Sequence, residues 1–181
     1  MYPAITTLQT AKGLVIIRPA IAADALQFSE LRQEALRENP SVFGSSYPAR
    51  ENCTTDWALK VLSRNPQDEF SFVVEVDQQL VGMTGVRRFP GIKLRHSATI
   101  GGVFIQPGWR GVGLSDQLIK HCIAWARLQQ IAILKLAVVC GNQAALKVYQ
   151  RNGFLIYGTE PKVILHDGVF FDEYLLYLDI Q

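Results

Sequence analysis

The chain has 181 residues, 49% of them hydrophobic, and a formal net charge of +2. That is enough apolar mass for one globular domain and too little positive charge for a polybasic surface aimed at nucleic acid or a membrane. No apolar run approaches the roughly 20 residues of a membrane span, and the three cysteines, Cys53, Cys122 and Cys140, form no CxxC pair, which argues against a disulfide framework or a zinc site.

Residues 1–12 lack a basic flank leading into an apolar run. They are expected to be a tail rather than a signal peptide, with residues 13–181 forming a single cytoplasmic domain. Gly13 to Pro19 reads as a short strand closed by proline. Asp24 to Arg37 carries Phe28, Leu31 and Ala35 at helical spacing, and Asn39-Pro40 ends it. Ser41 to Asn52 is polar and irregular, with Phe43 and Tyr47 embedded. Thr54 or Thr55 can cap a short helix holding Trp57, Val61 and Leu62, stopped by Asn65-Pro66.

Phe70 to Val76 and Leu80 to Arg87 are strands joined by a polar turn. Arg95 to Ile105 is a longer strand whose Gly101-Gly102 pair suggests a bulge or a close backbone approach. A helix follows over Leu114 to Leu128, with Leu118, Ile119, Cys122, Ile123 and Ala126 inward and His121 expected on its surface. Ile133 to Val139 is a buried-looking strand. Asn142 can cap a helix to about Arg151, and Gly153 sits where a glycine C-cap belongs. Phe154 to Ile164 and Val169 to Leu178 form a hairpin around Asp167-Gly168, with His166 beside the turn. The expected order is β-α-α-β-β-β-α-β-α-β-β, an α/β mixed sheet with helices packed on it.

The segment from Val103 to Ser115 holds a strand end, a glycine-dense turn and a helix start. Such a turn aims free backbone N–H groups at one place with a helix dipole behind them, an arrangement that suits phosphate. Three readings compete. Gly108 to Ser115 nearly spells a nucleotide-triphosphate loop, but Leu114 stands where the lysine belongs. Gly111 and Gly113 fit a dinucleotide fingerprint, but Asp116 replaces its third glycine and the turn is not in the first βα unit. The third reading is a coenzyme A diphosphate site.

For that third reading the chain resembles the GCN5-related N-acetyltransferase (GNAT) superfamily. Its signature is Gln or Arg, two residues, Gly, one residue, then Gly or Ala, and Arg110-Gly111-Val112-Gly113-Leu114-Ser115 matches it except for serine at the last position. Pro107 stands three residues ahead, as is frequent in that family. A second family pattern, N-x-x-A-x-x-x-Y-x-x-x-G-F, matches Asn142 through Phe154 at every named position. The resemblance runs from about Val15 to Leu178.

It implies a mixed, mostly antiparallel sheet of about six to seven strands, splayed in the middle, with helices on both faces. It also implies acetyl transfer from acetyl-CoA to a primary amine of a small molecule, an amino acid or a protein, by direct attack in a ternary complex. A non-catalytic acyl-CoA-binding sensor would carry the same motifs. By the resemblance, backbone groups of Val103, Phe104 and Ile105 hold the pantetheine arm and the thioester carbonyl. Backbone amides of Gly111, Val112, Gly113, Leu114, Ser115 and Asp116 hold the diphosphate. Arg110 either pairs with phosphate or fixes the loop, and Asn142 bonds the cofactor arm or only caps its helix. Tyr149 is the expected proton donor to the leaving thiolate. Phe43, Ser45, Ser46 and Tyr47 are candidates for the acceptor wall. Lys147 and Arg151 either meet a coenzyme phosphate or form a solvated face. No metal is implied, and the family allows a homodimer. The general base is not legible: His96 and Glu75 are the nearest candidates to the central strands.

Overall fold

The computed structural model describes residues 5–44 and 53–180. Its strands are β1 (Thr6–Thr10), β2 (Gly13–Pro19), β3 (Glu69–Val76), β4 (Gln79–Arg88), β5 (Ser97–Ile105), β6 (Ile133–Val139), β7 (Leu155–His166) and β8 (Val169–Asp179). They form one sheet in the order β1-β2-β3-β4-β5-β6-β8-β7. Every neighbouring pair is antiparallel except β5 and β6. The helices are α1 (Ala25–Glu38), α2 (Thr55–Leu62), α3 (Leu114–Leu128) and α4 (Gln143–Arg151).

The centre of the sheet is covered on both faces, so Phe70 to Val74 of β3 are buried without alternation. Phe72 and Val74 face α3 within the main core, whereas Val73 faces α1 and α2 in a second core with Phe28, Leu31, Ala58 and Met83. A strand covered on both sides has no polar face to alternate with. Trp125 is fully buried on α3, and its indole N–H donates to the Pro66 carbonyl at 2.9 Å, tying α3 to the segment before β3.

Two features of β5 open the sheet. Met83 pairs with Phe104 and Gly85 with Gly101, so Gly102 and Val103 stand opposite Thr84 alone, a β-bulge on β5. On its other side β5 pairs with β6 only over Ser97–Ile133, Ala98–Leu134 and Thr99–Lys135. Beyond Thr99 the two parallel strands part, and β6 pairs onward with β8.

The structure corrects two expectations. The sheet has one strand more than the upper estimate, because Thr6–Thr10, assigned to a tail, pairs with β2 along its whole length. Its weak alternation, with Leu8 alone packed on the core, is that of an edge strand. His121 is buried rather than on the helix surface. Its Nδ1 lies 2.8 Å from the Gln117 carbonyl, which can only accept, so Nδ1 carries hydrogen and Nε2 accepts from the Thr6 hydroxyl at 3.1 Å in the neutral ring. Thr6 belongs to the unforeseen strand, which helps to cover the imidazole together with the Phe72 ring at 5.5 Å between centroids. Glu75, on β3, accepts from Arg18 Nε at 2.6 Å.

Arg18 also holds Asp24, through Nη1 at 2.7 Å and Nη2 at 2.8 Å, and the Ile21 amide donates to the same carboxylate at 2.8 Å. Burial opposes the charge on Asp24, but the Arg18 hydrogen bonds, the Ile21 amide and the guanidinium's attraction outweigh it and hold its pKa below the ordinary 3.8. A lowered folded pKa means stabilisation that is complete above the unfolded value and lost as pH falls through the folded one. Acid unfolding of the wild type is therefore expected to carry a component below about pH 4 that Asp24→Asn lacks, the variant being less stable at neutral pH. Matching acid limbs in circular dichroism would contradict this.

Candidate active site

Where β5 and β6 separate, the structure holds a cavity of about 510 Å³. Val103, Phe104 and Ile105 line it from β5, and Arg110, Gly111, Gly113, Leu114, Ser115 and Asp116 from the following loop and the first turn of α3. Asn142 and Tyr149 line it from the start and inward face of α4, and Phe43 from the segment after α1. Val112 does not face the cavity: its side chain packs against the main core. Ser45, Ser46 and Tyr47 lie outside the described residues.

The loop is held so that its amides stay free. Lys12, in the β1–β2 turn, donates Nζ to the carbonyls of Gly108 (2.7 Å) and Arg110 (2.8 Å). A trans peptide sets its C=O and N–H on opposite sides, so fixing the Arg110 carbonyl on Lys12 turns the Gly111 N–H away from it. Gly111 and Gly113 have φ of +84° and +81°, and a Cβ at either position would meet nothing within 4 Å, so backbone conformation rather than crowding calls for glycine. The hydrogen bond from Gln117 N to the Gly113 carbonyl is the one that starts α3, at 3.3 Å. The amides ahead of it have no intrahelical acceptor.

Arg110 is spent inside the protein. Nε donates to the Ile105 carbonyl at 2.9 Å, Nη2 pairs with Glu38 at 3.2 Å, and the guanidinium lies over the Phe104 ring at 5.7 Å. Gln106 adds a bond to Glu34 at 2.7 Å. Both acids belong to α1, which therefore braces the loop. Of the two roles open to Arg110, these contacts match loop fixing.

Asp116 puts a carboxylate beside the helix start, which by itself opposes anion binding. Arg151 neutralises it through Nη2 at 2.5 Å, and Asn152 Nδ2 adds a bond at 3.1 Å. Both Arg151 and Lys147 are exposed, and of the two Arg151 lines the cavity. The Asn142 side chain accepts from the Ala145 amide at 3.2 Å and caps α4.

Tyr149 is buried, with its ring edge-on to Phe154 at 6.2 Å between centroids. Burial raises its pKa, and nearby Cys122 adds to the effect. The phenol therefore keeps its proton across the working range. Cys122 is equally dry: burial pushes its thiol up to about 12, against a smaller opposing bond to Thr84. A thiol so placed is not a nucleophile. His96 is exposed at the start of β5, the end opposite the cavity, which separates it from any chemistry there.

A second cavity, of about 430 Å³, lies on the α1–α2 face of the sheet and shares Gly101 and Gly102 with the first. The bulge is where the two meet. Phe28, Arg32, Trp57 and Arg64 line it from the helices, and Ser71, Met83, Arg87 and Thr99 from the strands. Sequence reasoning missed this chamber and missed Arg32, although Phe28, Leu31, Arg32 and Ala35 share one helical stripe. An arginine in an otherwise apolar stripe was the available signal. Among the described residues no group of His, Cys, Asp and Glu is placed to hold a metal ion, and no helix is long and apolar enough to cross a membrane.

Comparison with known proteins bears on this geometry. The chain is 25% identical over 166 residues to the L-amino acid N-acetyltransferase AaaT of Escherichia coli K12, covering 90% of this chain and 96% of that one. It is 33% identical over 100 residues to the uncharacterized N-acetyltransferase MJ1207 of Methanocaldococcus jannaschii, a match over 54% of this chain that spans 44% of that relative's length. The yncA protein of Salmonella typhimurium, solved with acetyl-CoA, superposes with a TM-score of 0.82 at 20% identity, covering 92% of this chain and 94% of that one, a likeness of fold. The family model described as "Acetyltransferase (GNAT) family" matches residues 28–154. The chain belongs to the acetyltransferase (GNAT) family, the N-acetyltransferases that take their acetyl group from acetyl-CoA.

Proposed function

We propose that this acetyltransferase holds the coenzyme diphosphate on the amides of Gly111 to Asp116, runs the pantetheine arm between β5 and β6, and acetylates the amino group of a small amino acid. The observation that carries the reading is the splay: β5 loses its β6 partner after Thr99, so its next backbone groups on that edge are available to the amides of the arm. A backbone N–H near the bulge then lies where negative charge grows on the thioester carbonyl. Asn142 sits beside the arm, and its carbonyl oxygen is already used in capping, which leaves its amide N–H groups for the coenzyme.

Tyr149 supplies the proton. The neutral amine nitrogen attacks the thioester carbon, the C–S bond breaks, the phenol proton passes to the departing sulfur, and the proton shed by the acylated nitrogen leaves through water and restores the phenol. Desolvation raises a thiol as it raises a phenol, so sulfur leaving into the same dry pocket is a better proton acceptor than it is in water. Holding amine and thioester together provides the rest of the acceleration.

The acceptor enters from the second cavity, where Arg32 lies over the ring of Phe43, a residue of the first. The size of the second cavity suits a small molecule. The names of relatives support an amino acid: AaaT, the L-methionine sulfoximine/L-methionine sulfone acetyltransferase of Pseudomonas aeruginosa and the L-2,4-diaminobutyric acid acetyltransferase of Vibrio cholerae. Cys53, Cys122 and Cys140 as thiols support a cytoplasmic setting. Outward apolar side chains at Leu155, Tyr157, Leu165 and Phe170 support pairing of two copies, and the net charge supports no nucleic-acid partner. The test is free-thiol release from acetyl-CoA across a panel of amines, alongside the thermal shift that acetyl-CoA produces. Release with amino acids is expected. Protection without release from any amine would favour a sensor and contradict the proposal.

A further inference from the structure

Arg32 is an anomaly in the second cavity. Its Nε is buried with no hydrogen-bond partner. Among the described residues no carboxylate or carbonyl meets its guanidinium, which rests over the Phe43 ring at 5.0 Å. Arg32 as a whole is half-buried, so its guanidinium is partly desolvated without an acceptor, which is costly and is the state expected of a group that waits for an anion. The other nitrogen in this condition among the described residues, Arg88 Nε, is different. The Arg88 side chain is anchored by Nη2 on the Gln129 carbonyl at 2.6 Å, at the C-terminal end of α3, and it lines neither cavity.

The surroundings point the same way. Arg32 lines the second cavity and the Phe43 ring beneath it lines the first, so this contact joins the walls of the two cavities, which share Gly101 and Gly102. The chamber holds two further cations, Arg64 and Arg87, against one acid, Glu69, which is already paired with Arg64. Among the described residues the excess charge is positive. Phe28, Trp57 and Met83 supply apolar wall. A planar guanidinium in such a setting matches a carboxylate with two parallel N–H···O bonds, and a lysine would not.

We propose that Arg32 is the specificity-determining residue for the acceptor, binding the carboxylate of an amino acid while its amine reaches the thioester past the β5 bulge. This rests on the acetyl transfer proposed above and names the group that selects its substrate. No bond changes at Arg32, and it takes no proton.

The experiment compares L-amino acids, each with its primary amide and its decarboxylated amine, in free-thiol release by the wild type, Arg32→Met and Arg32→Lys. In the wild type kcat/KM is expected to fall about 10- to 100-fold from acid to amide, the scale of a charge-assisted bond lost in a buried site. Arg32→Met is expected to lose the same factor for the acid, through KM, and to leave the decarboxylated amine unchanged. Arg32→Lys is expected to recover part of it. A parallel arm measures the melting temperature with saturating coenzyme A: the amino acid raises it in the wild type and not in Arg32→Met. Equal use of acid and amide by the wild type overturns the assignment without any variant. So does an equal loss for acid and amine in Arg32→Met, or an amino-acid shift that survives it. Failure of acetyl-CoA to protect the protein, or of every amine to release thiol, instead strikes the acetyl-transfer reading. The melting arm still reads the anchor in that case.

Discussion

Gly111→Val is expected to weaken acetyl-CoA binding by about 30-fold. The residue sits at φ +84° with open space around it, so the penalty is conformational. A left-handed backbone costs an ordinary side chain roughly 1–2 kcal/mol, the upper end for a β-branched one, and about 2 kcal/mol is close to 30-fold in affinity. The chain has two ways to accommodate valine. It can keep the conformation under strain, or it can rotate the peptide, which pulls the Arg110 carbonyl off Lys12 and swings the Gly111 amide out of the cavity. Either lowers affinity for a diphosphate that relies on aligned amides. Gly111→Asn separates the causes, because asparagine tolerates positive φ. It is expected to bind within about threefold of the wild type. Calorimetric titration with acetyl-CoA checks both. Equal weakening by valine and asparagine would mean that bulk, not backbone direction, matters at this position.

Tyr149→Phe is expected to lower kcat by about 100-fold, the lower range of general-acid contributions, with coenzyme affinity preserved. Phenylalanine keeps the edge-on contact with Phe154 and fills the same volume, so the variant isolates the hydroxyl. Because burial raises this phenol's pKa, wild-type kcat is expected to show no alkaline loss near pH ~10, where an exposed tyrosine ionises. The measurement is a pH profile of thiol release at saturating acetyl-CoA. An unchanged kcat in Tyr149→Phe would remove the hydroxyl from the reaction, and a wild-type loss near pH ~10 that the variant lacks would contradict the dry phenol.

Much of this architecture was legible in the residues because local and global demands agree. Leu114–Leu128 and Ile133–Val139 carry long, strongly patterned segments, and their observed bounds match the expected ones. Asn142 and Thr54 both cap the helices they precede, since an Asn or Thr oxygen ahead of an apolar stripe has an amide to satisfy. The glycine loop was legible for the same reason: positive φ at Gly111 and Gly113 demands that residue type. What escaped depends on distant partners. Thr6–Thr10 has too little apolar character to announce an edge strand, and without it the burial of His121 could not be foreseen. Arg110 could be divided between phosphate and loop only by knowing that Glu38 and the Ile105 carbonyl lie within reach. Arg32 sat in view on a core-facing stripe, but its lack of a partner is a property of the folded cavity, not of its neighbours in sequence.

A crystal structure with coenzyme A bound would test the account most directly. It should show diphosphate oxygens within hydrogen-bond distance of the amides between Gly111 and Asp116, with the sulfur directed toward Tyr149 in the gap between β5 and β6. A coenzyme seated elsewhere, or a sulfur on the far side of β6 from that hydroxyl, would contradict it.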